Sequence, residues 1–203
     1  MKLRNVEFGP VTDASGVRGF FGEGYPYHRF VKPFGLDFEG STLVAKTTTL
    51  LPRTGNMPLK NDGITPHNFF PSCVVAKPLK GIALNAVGLS GPGADFLFRQ
   101  GRWQQRTDPF FLSFMSVEQT RKERTAELRE FVRLFATYLP SFRAQVGLQI
   151  NYSCPNVGLH VEELAREVDE GLLIASSLNI PLMPKLNVVA PIELALEISQ
   201  HSQ

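Results

Sequence analysis

Five polar residues of this chain stand where apolar runs stop: Lys46, Asn85, Asn151, Cys154 and Lys185. Lys46 ends "STLVAK", Asn85 ends "GIALN", Asn151 and Cys154 fall within "QINYSCPNVG" (149–158), and Lys185 ends "IPLMPK". Two ammonium groups can offset negative charge on a carboxylate substrate or a ring cofactor. Asparagine amides offer donors and acceptors together, which suits recognition of a pyrimidine-like ring. A thiol beside a cation can abstract a proton once its pKa falls toward neutrality. Each residue also has a plainer reading. A strand-end lysine commonly snorkels to solvent, an asparagine there forms a turn, and a lone cysteine fills a small buried space. Their repetition at equivalent places on successive strands favours a site.

The elements that must position these residues follow from the apolar pattern. Strands are expected over 41–50, 81–93, 109–116, 145–153 and 180–187, the first dense in β-branched residues and the third apolar on both faces. Helical spacing of Leu128, Phe131, Val132, Phe135, Tyr138 and Leu139 predicts a helix over 120–140, ended by Pro140. Leu164, Val168 and Leu172 predict a second over 160–179, and Pro191 opens a third. Alternating strands and helices imply parallel strands with right-handed crossovers, in a barrel or an open doubly wound sheet. In a barrel those strand ends converge on one mouth. Residues 1–40, rich in glycine and aromatics, are expected to be irregular.

Composition narrows the classes. With 203 residues and 43% hydrophobic content the chain can bury a core. Its 21 basic and 19 acidic side chains leave a net charge of +2, which gives no electrostatic case for nucleic acid or an anionic membrane as main partner. No apolar run approaches the roughly 20 residues of a membrane-spanning helix. The N-terminus lacks a signal-peptide pattern, so a cytoplasmic location is expected. Cys73 and Cys154 are too few for a disulfide framework, and the four histidines lack metal-ligand spacing, so no metal site is expected. "GLSGPGAD" spells neither a dinucleotide fingerprint nor a P-loop.

"VAKTTT" with "PRTGN", then "NAVGL", "INYSCPN" and "MPKLN", in that order, resemble the dihydroorotate dehydrogenase family of FMN-dependent barrels over roughly residues 41–190. The resemblance implies an α/β chain forming the N-terminal part, about five strand–helix units, of a TIM (β/α)8-type barrel. It implies oxidation of dihydroorotate to orotate in pyrimidine biosynthesis, with FMN as cofactor. Cys154 matches the catalytic base of the family's soluble class. Lys46 matches a lysine between flavin and substrate, with Thr47 beside it at the flavin. Asn85 and the backbone of Val87, Gly88 and Leu89 match the segment that binds substrate. Asn151 and Asn156 match pyrimidine-binding asparagines, Asn151 also lying at the cofactor, and Lys185 matches a lysine on the flavin's N1/O2 side. The sequence departs from the family at Ser90-Gly91, where the soluble class carries Pro-Asn.

A barrel of this type needs eight units in about 250 residues, so the expectation is the N-terminal part of a longer enzyme, weakly active alone. A homodimer or a complementing C-terminal chain would then be its partner. Two other readings stay open: a non-catalytic relic or assembly partner of the same fold, and a flavin barrel acting on another pyrimidine or an enone.

Overall fold

A computed structural model describes residues 1–77, 80, 82–152, 161–187 and 190–201. Three strands form its parallel sheet, β7 (Phe110–Phe114), β8 (Val146–Asn151) and β9 (Leu182–Lys185), in that spatial order. All residues of β7 and β8 are buried, as a parallel sheet covered on both faces requires. The register pairs Phe110 with Val146 and Phe114 with Ile150, then Leu148 with Leu182 and Asn151 with Lys185.

Segment 43–48 lies on the other side of β7 as a fourth parallel element, bridged at Val44↔Phe111 and Thr48↔Phe114. Four steps on one chain meet three on the other between those bridges. One extra residue therefore bulges from the ladder, the device that commonly re-aims a side chain near a site. Lys46 sits on this bulge, and its backbone N–H leaves the sheet to reach Gly19 O at 2.9 Å.

Helices cover one face. α2 (Ala94–Arg99) and α3 (Arg121–Tyr138) bury Phe98, Phe131 and Phe135 against Phe110 and Phe114 of β7. Phe114 and Phe131 stack with centroids 4.2 Å apart. α3 begins where it does because Thr120 and Glu123 form a reciprocal capping box that satisfies two otherwise orphaned N–H groups. α4 (Val161–Ser176) packs Ala165 and Val168 on Leu194 and Ile198 of α5 (Ile192–His201). The Arg124–Glu167 ion pair, 2.6 Å, joins α3 to α4 with both side chains largely buried. On the opposite face, Val6 and Phe8 pack on Val44 and Phe111. Val6 belongs to, and Phe8 directly follows, an antiparallel hairpin of β1 (Lys2–Leu3) and β2 (Val6–Glu7). Gly147 stays a glycine beneath this plug, since its Cβ would lie 2.4 Å from the Phe111 ring.

Two expectations are corrected. The segment 81–93 is not a strand of the parallel sheet. Only Ile82–Asn85 (β6) is extended, and it pairs antiparallel with β5 (Val74–Lys77), Val74 facing Asn85 and Lys77 facing Ile82. Four residues separate β5 from β6, room for a hairpin turn but not for a parallel crossover. The parallel set is thus four elements rather than five, and among the described residues no closed barrel forms. The segment expected to be irregular contains β1, β2, β3 (Val11–Thr12), which pairs parallel with β4 (Ser41–Thr42), and a short helix α1 (His28–Val31).

Candidate active site

Lys46, Thr47, Asn151 and Lys185 come together at the C-terminal edge of the parallel elements, and all four line one cleft of about 1930 Å³. Asn151 and Lys185 face each other across adjacent strands, and Tyr152 N–H bonds Lys185 O at 2.9 Å, locking that pairing at the rim.

Lys46 is 8% exposed. Its Nζ donates to Ser90 O at 2.7 Å and lies 4.8 Å above the Phe20 ring. Burial pushes its pKa down to about 8, with the negative charge of Glu23 opposing the fall. The ammonium therefore remains mostly charged at neutral pH, held in a low-dielectric wall. Burial also lowers the pKa of Lys185. Gly16, at φ +84°, lies flat against Lys46, where a Cβ would sit 3.2 Å from Lys46 Cγ.

A belt of hydroxyl and amide groups runs beneath the cleft. Ser15 Oγ donates to Ala45 O at 2.9 Å and meets Thr47 Oγ1 at 2.8 Å. Thr47 Oγ1 meets Ser113 Oγ at 2.9 Å, and Ser113 Oγ reaches Gln149 Oε1 at 3.0 Å. Asn151 Nδ2 makes a longer 3.5 Å contact to Thr47 Oγ1. The belt ties the N-terminal segment, the bulge, β7 and β8 into one rigid floor.

Asn85, Val87, Gly88 and Leu89 line the same cleft from above, carried by the β5–β6 hairpin and the turn after it rather than by a strand end of the parallel sheet. Arg53 Nε donates to Gly88 O at 2.9 Å and Asn56 N to Val87 O at 2.8 Å, so the "PRTGN" segment braces this turn. Gly55 must be glycine, because a Cβ would lie 2.3 Å from Ser90 Oγ and 2.6 Å from Val87 O. Leu89 has φ 58°, a left-handed conformation that costs a non-glycine residue about 1–2 kcal/mol. Ser90, fully buried, anchors it: its Oγ donates to Val87 O at 3.1 Å and accepts from Met57 N at 3.0 Å. The Ser90 side chain thus serves the turn, while Lys46 uses only its main-chain carbonyl. Cys154 and Asn156 lie outside the described residues.

Sequence reasoning missed Ser15, Gly16, Ser113 and Ser90. The "DASG" stretch (13–16), a hydroxyl followed by glycine, is a signal that could have found the first two. Ser113 is a lone hydroxyl in the apolar run "FFLSF", and that position marks it in retrospect.

No family model matches the chain. The chain is 32% identical over 201 residues to dihydroorotate dehydrogenase A (fumarate) of Lacticaseibacillus paracasei, an alignment covering 93% of the chain and 58% of that protein. It is 32% identical over 151 residues to the catalytic subunit of dihydroorotate dehydrogenase B (NAD(+)) of Desulforudis audaxviator, covering 73% of the chain and 38% of that protein. The chain spans about half the length of these curated relatives. Over most of its length the chain is thus similar to dihydroorotate dehydrogenases.

Proposed function

We propose that the protein carrying this chain oxidises dihydroorotate, or a closely similar dihydropyrimidine, to orotate as an FMN-dependent enzyme of pyrimidine biosynthesis, of the soluble class that uses a cysteine base. The observation that carries the reading is the buried Lys46 ammonium, set on a bulge beside Thr47 and Asn151 in a cleft that also holds Lys185. The similarity to dihydroorotate dehydrogenases supports the choice of substrate.

The residues present fit the cofactor. Gly16 leaves a surface that a side chain would fill, and Lys46 and Lys185 place positive charge in the cleft. Thr47 and Asn151 supply donors and acceptors for the edge of a heterocycle. Lys46, Thr47, Asn151 and Lys185 would hold FMN, which when bound supplies the acceptor for a hydride.

The chain's own groups do the rest. Lys46, Asn85, Asn151 and Asn156, with the backbone of Val87, Gly88 and Leu89, would bind and orient the substrate ring and its carboxylate. Cys154 Sγ would take the proton from one ring carbon while the adjacent carbon gives up a hydride, leaving a C=C bond. Lys46 and Lys185 offset the negative charge that this places in the cleft. Depressed pKa values suit that role, because a desolvated ammonium acts more strongly on a neighbouring charge than a solvated one.

In the protein carrying this chain, dihydroorotate should bleach the flavin absorption, and Cys154→Ser should slow that bleaching strongly across neutral pH. A flavin bleached by another pyrimidine or enone but not by dihydroorotate overturns the substrate. Identical rates and pH profiles for Cys154→Ser and the parent overturn the base.

A further inference from the structure

The ring beneath Lys46 is held at both backbone ends, at its face and at its tip. Phe20 is fully buried and does not line the cleft. Its N–H donates to Glu23 Oε1 at 3.1 Å, and its carbonyl accepts from Trp103 Nε1 at 2.7 Å. Glu23 Oε2 also takes the Phe21 N–H at 2.7 Å, so one carboxylate sits on two successive backbone donors and closes the turn around the ring. Gly19, at φ +77°, leaves room for that carboxylate, since a Cβ there would lie 2.4 Å from Glu23 Oε1.

Lys46 meets this loop twice. Its backbone N–H donates to Gly19 O at 2.9 Å, and its Nζ lies 4.8 Å from the centre of the Phe20 ring. The tip of the same ring abuts Gly91, where a Cβ would sit 3.0 Å from Phe20 Cζ. Gly91 has no left-handed backbone to account for it, so the ring is what excludes a side chain there. Ser90, its neighbour, supplies the carbonyl that accepts Lys46 Nζ at 2.7 Å. The face of Phe20 therefore carries the ammonium, while its tip sets the turn whose carbonyl the ammonium reaches. An ammonium has three N–H donors, and among the described residues Ser90 O is its one hydrogen-bond acceptor. The ring attracts the charge without acting as an oxygen acceptor, which leaves donors for a group in the cleft.

We propose that Phe20 is a positioning residue for Lys46: its face steadies the charged ammonium, its tip sets the Ser90 carbonyl, and together they present the remaining donors to the cleft that Lys46 lines. The assignment rests on the proposed function only for the identity of the anion the lysine meets. It fits the departure at Ser90-Gly91, because a side chain at position 91 would strike the ring. The titratable groups in electrostatic reach of Lys46 are Glu23, on the Phe20 loop, and Cys73, ahead of β5, and Lys185 lines the same cleft. The variants below alter none of these.

The test is the titration of Lys46 in the protein carrying this chain, read by carbon NMR of isotopically labelled lysine from the resonance that Lys46→Met removes. It needs neither substrate nor flavin. Phe20→Leu stays apolar but loses the ring face, and should bring the Lys46 midpoint from about 8 to about 7. Orotate, used as an anionic probe, should then bind about fivefold more weakly near pH 8, because the charged fraction of the lysine falls from about a half to about a tenth. Near pH 6 parent and variant should bind it almost equally. Gly91→Ala crowds the ring from its tip and should also move the midpoint. Added to Phe20→Leu, which lacks Cζ, it should change nothing further. A midpoint unchanged or raised in folded Phe20→Leu overturns the proposal, and so does one unchanged in Gly91→Ala. If Phe20→Leu does not fold, Gly91→Ala decides alone. Shifted midpoints with no orotate binding by parent or variant uphold Phe20 and overturn the substrate reading instead.

Discussion

Replacing Lys46 by methionine should make the protein more stable at neutral pH while weakening its site. In the native state the Lys46 pKa is about 8, against an ordinary value of 10.5. At roughly 1.4 kcal/mol for each pH unit, that gap means the native state disfavours the charged lysine by about 3 kcal/mol. Methionine removes this cost and fills similar volume over the Phe20 ring. It also leaves Ser90 O without its 2.7 Å donor and loses the cation–π contact, which together return about 1–2 kcal/mol. The net gain at pH 7 is therefore about 1–2 kcal/mol. The sign reverses with pH. Because the folded pKa is depressed, the unfolded chain binds more protons between about 8 and 10.5, so the parent gains stability as pH rises through that window. Lys46→Met lacks that gain, and its advantage should vanish or invert by the top of the window. Urea unfolding of both proteins across that range measures the difference directly, with all other titrations common to both. A variant less stable at pH 7, or a difference that does not change with pH, would refute the claim that the lysine is held charged against its own desolvation.

Two further substitutions probe the frame around the site. Arg124→Ala leaves Glu167 buried without its 2.6 Å partner and should cost about 3 kcal/mol in urea unfolding. The double change Arg124→Met with Glu167→Leu should cost much less, because no buried charge is stranded. Gly171→Ala sets a Cβ 1.9 Å from Tyr152 Oη and 3.2 Å from Leu128 Cδ2. It should cost about 1–3 kcal/mol and lower the Tm, and by shifting Tyr152 it should weaken binding at the adjacent Asn151.

Much of this arrangement is legible in the sequence, for reasons particular to each element. "PFFLSFMS" and "QVGLQINYS" read correctly as strands because burial on both faces leaves an unbroken apolar run. The helix over 120–140 was visible from its spacing and from Pro140, and its start at Thr120 agrees with the capping box. "GIALNAVGLSGPG" misled because a short apolar run looks the same in a parallel strand and in a hairpin. Its partner "VVAK" comes just before it, and their short connection was the available clue. The bulge at Lys46 was not legible, since it depends on how two distant segments pair. For the same reason the hydroxyl belt escaped notice: Ser15, Thr47 and Ser113 are unremarkable apart and meaningful only when strand pairing brings them within 3 Å.

Counting protons along that belt shows a direction in it. Ser15, Thr47 and Ser113 own three hydroxyl protons, yet four contacts need one each if the belt ends on Ala45 O at one side and Gln149 Oε1 at the other. Turning over the Gln149 amide resolves the shortage. Its N–H then donates to Ser113, Ser113 to Thr47, Thr47 to Ser15, and Ser15 to Ala45 O, every link filled and all pointing one way. Thr47 Oγ1, having given its proton to Ser15, accepts in its 3.5 Å contact with Asn151 Nδ2, so the belt favours the amide N–H on the floor side. The edge that Asn151 turns toward a ring is thereby linked, through Thr47 and Ser113, to the orientation of Gln149, a glutamine outside the lining of the cleft.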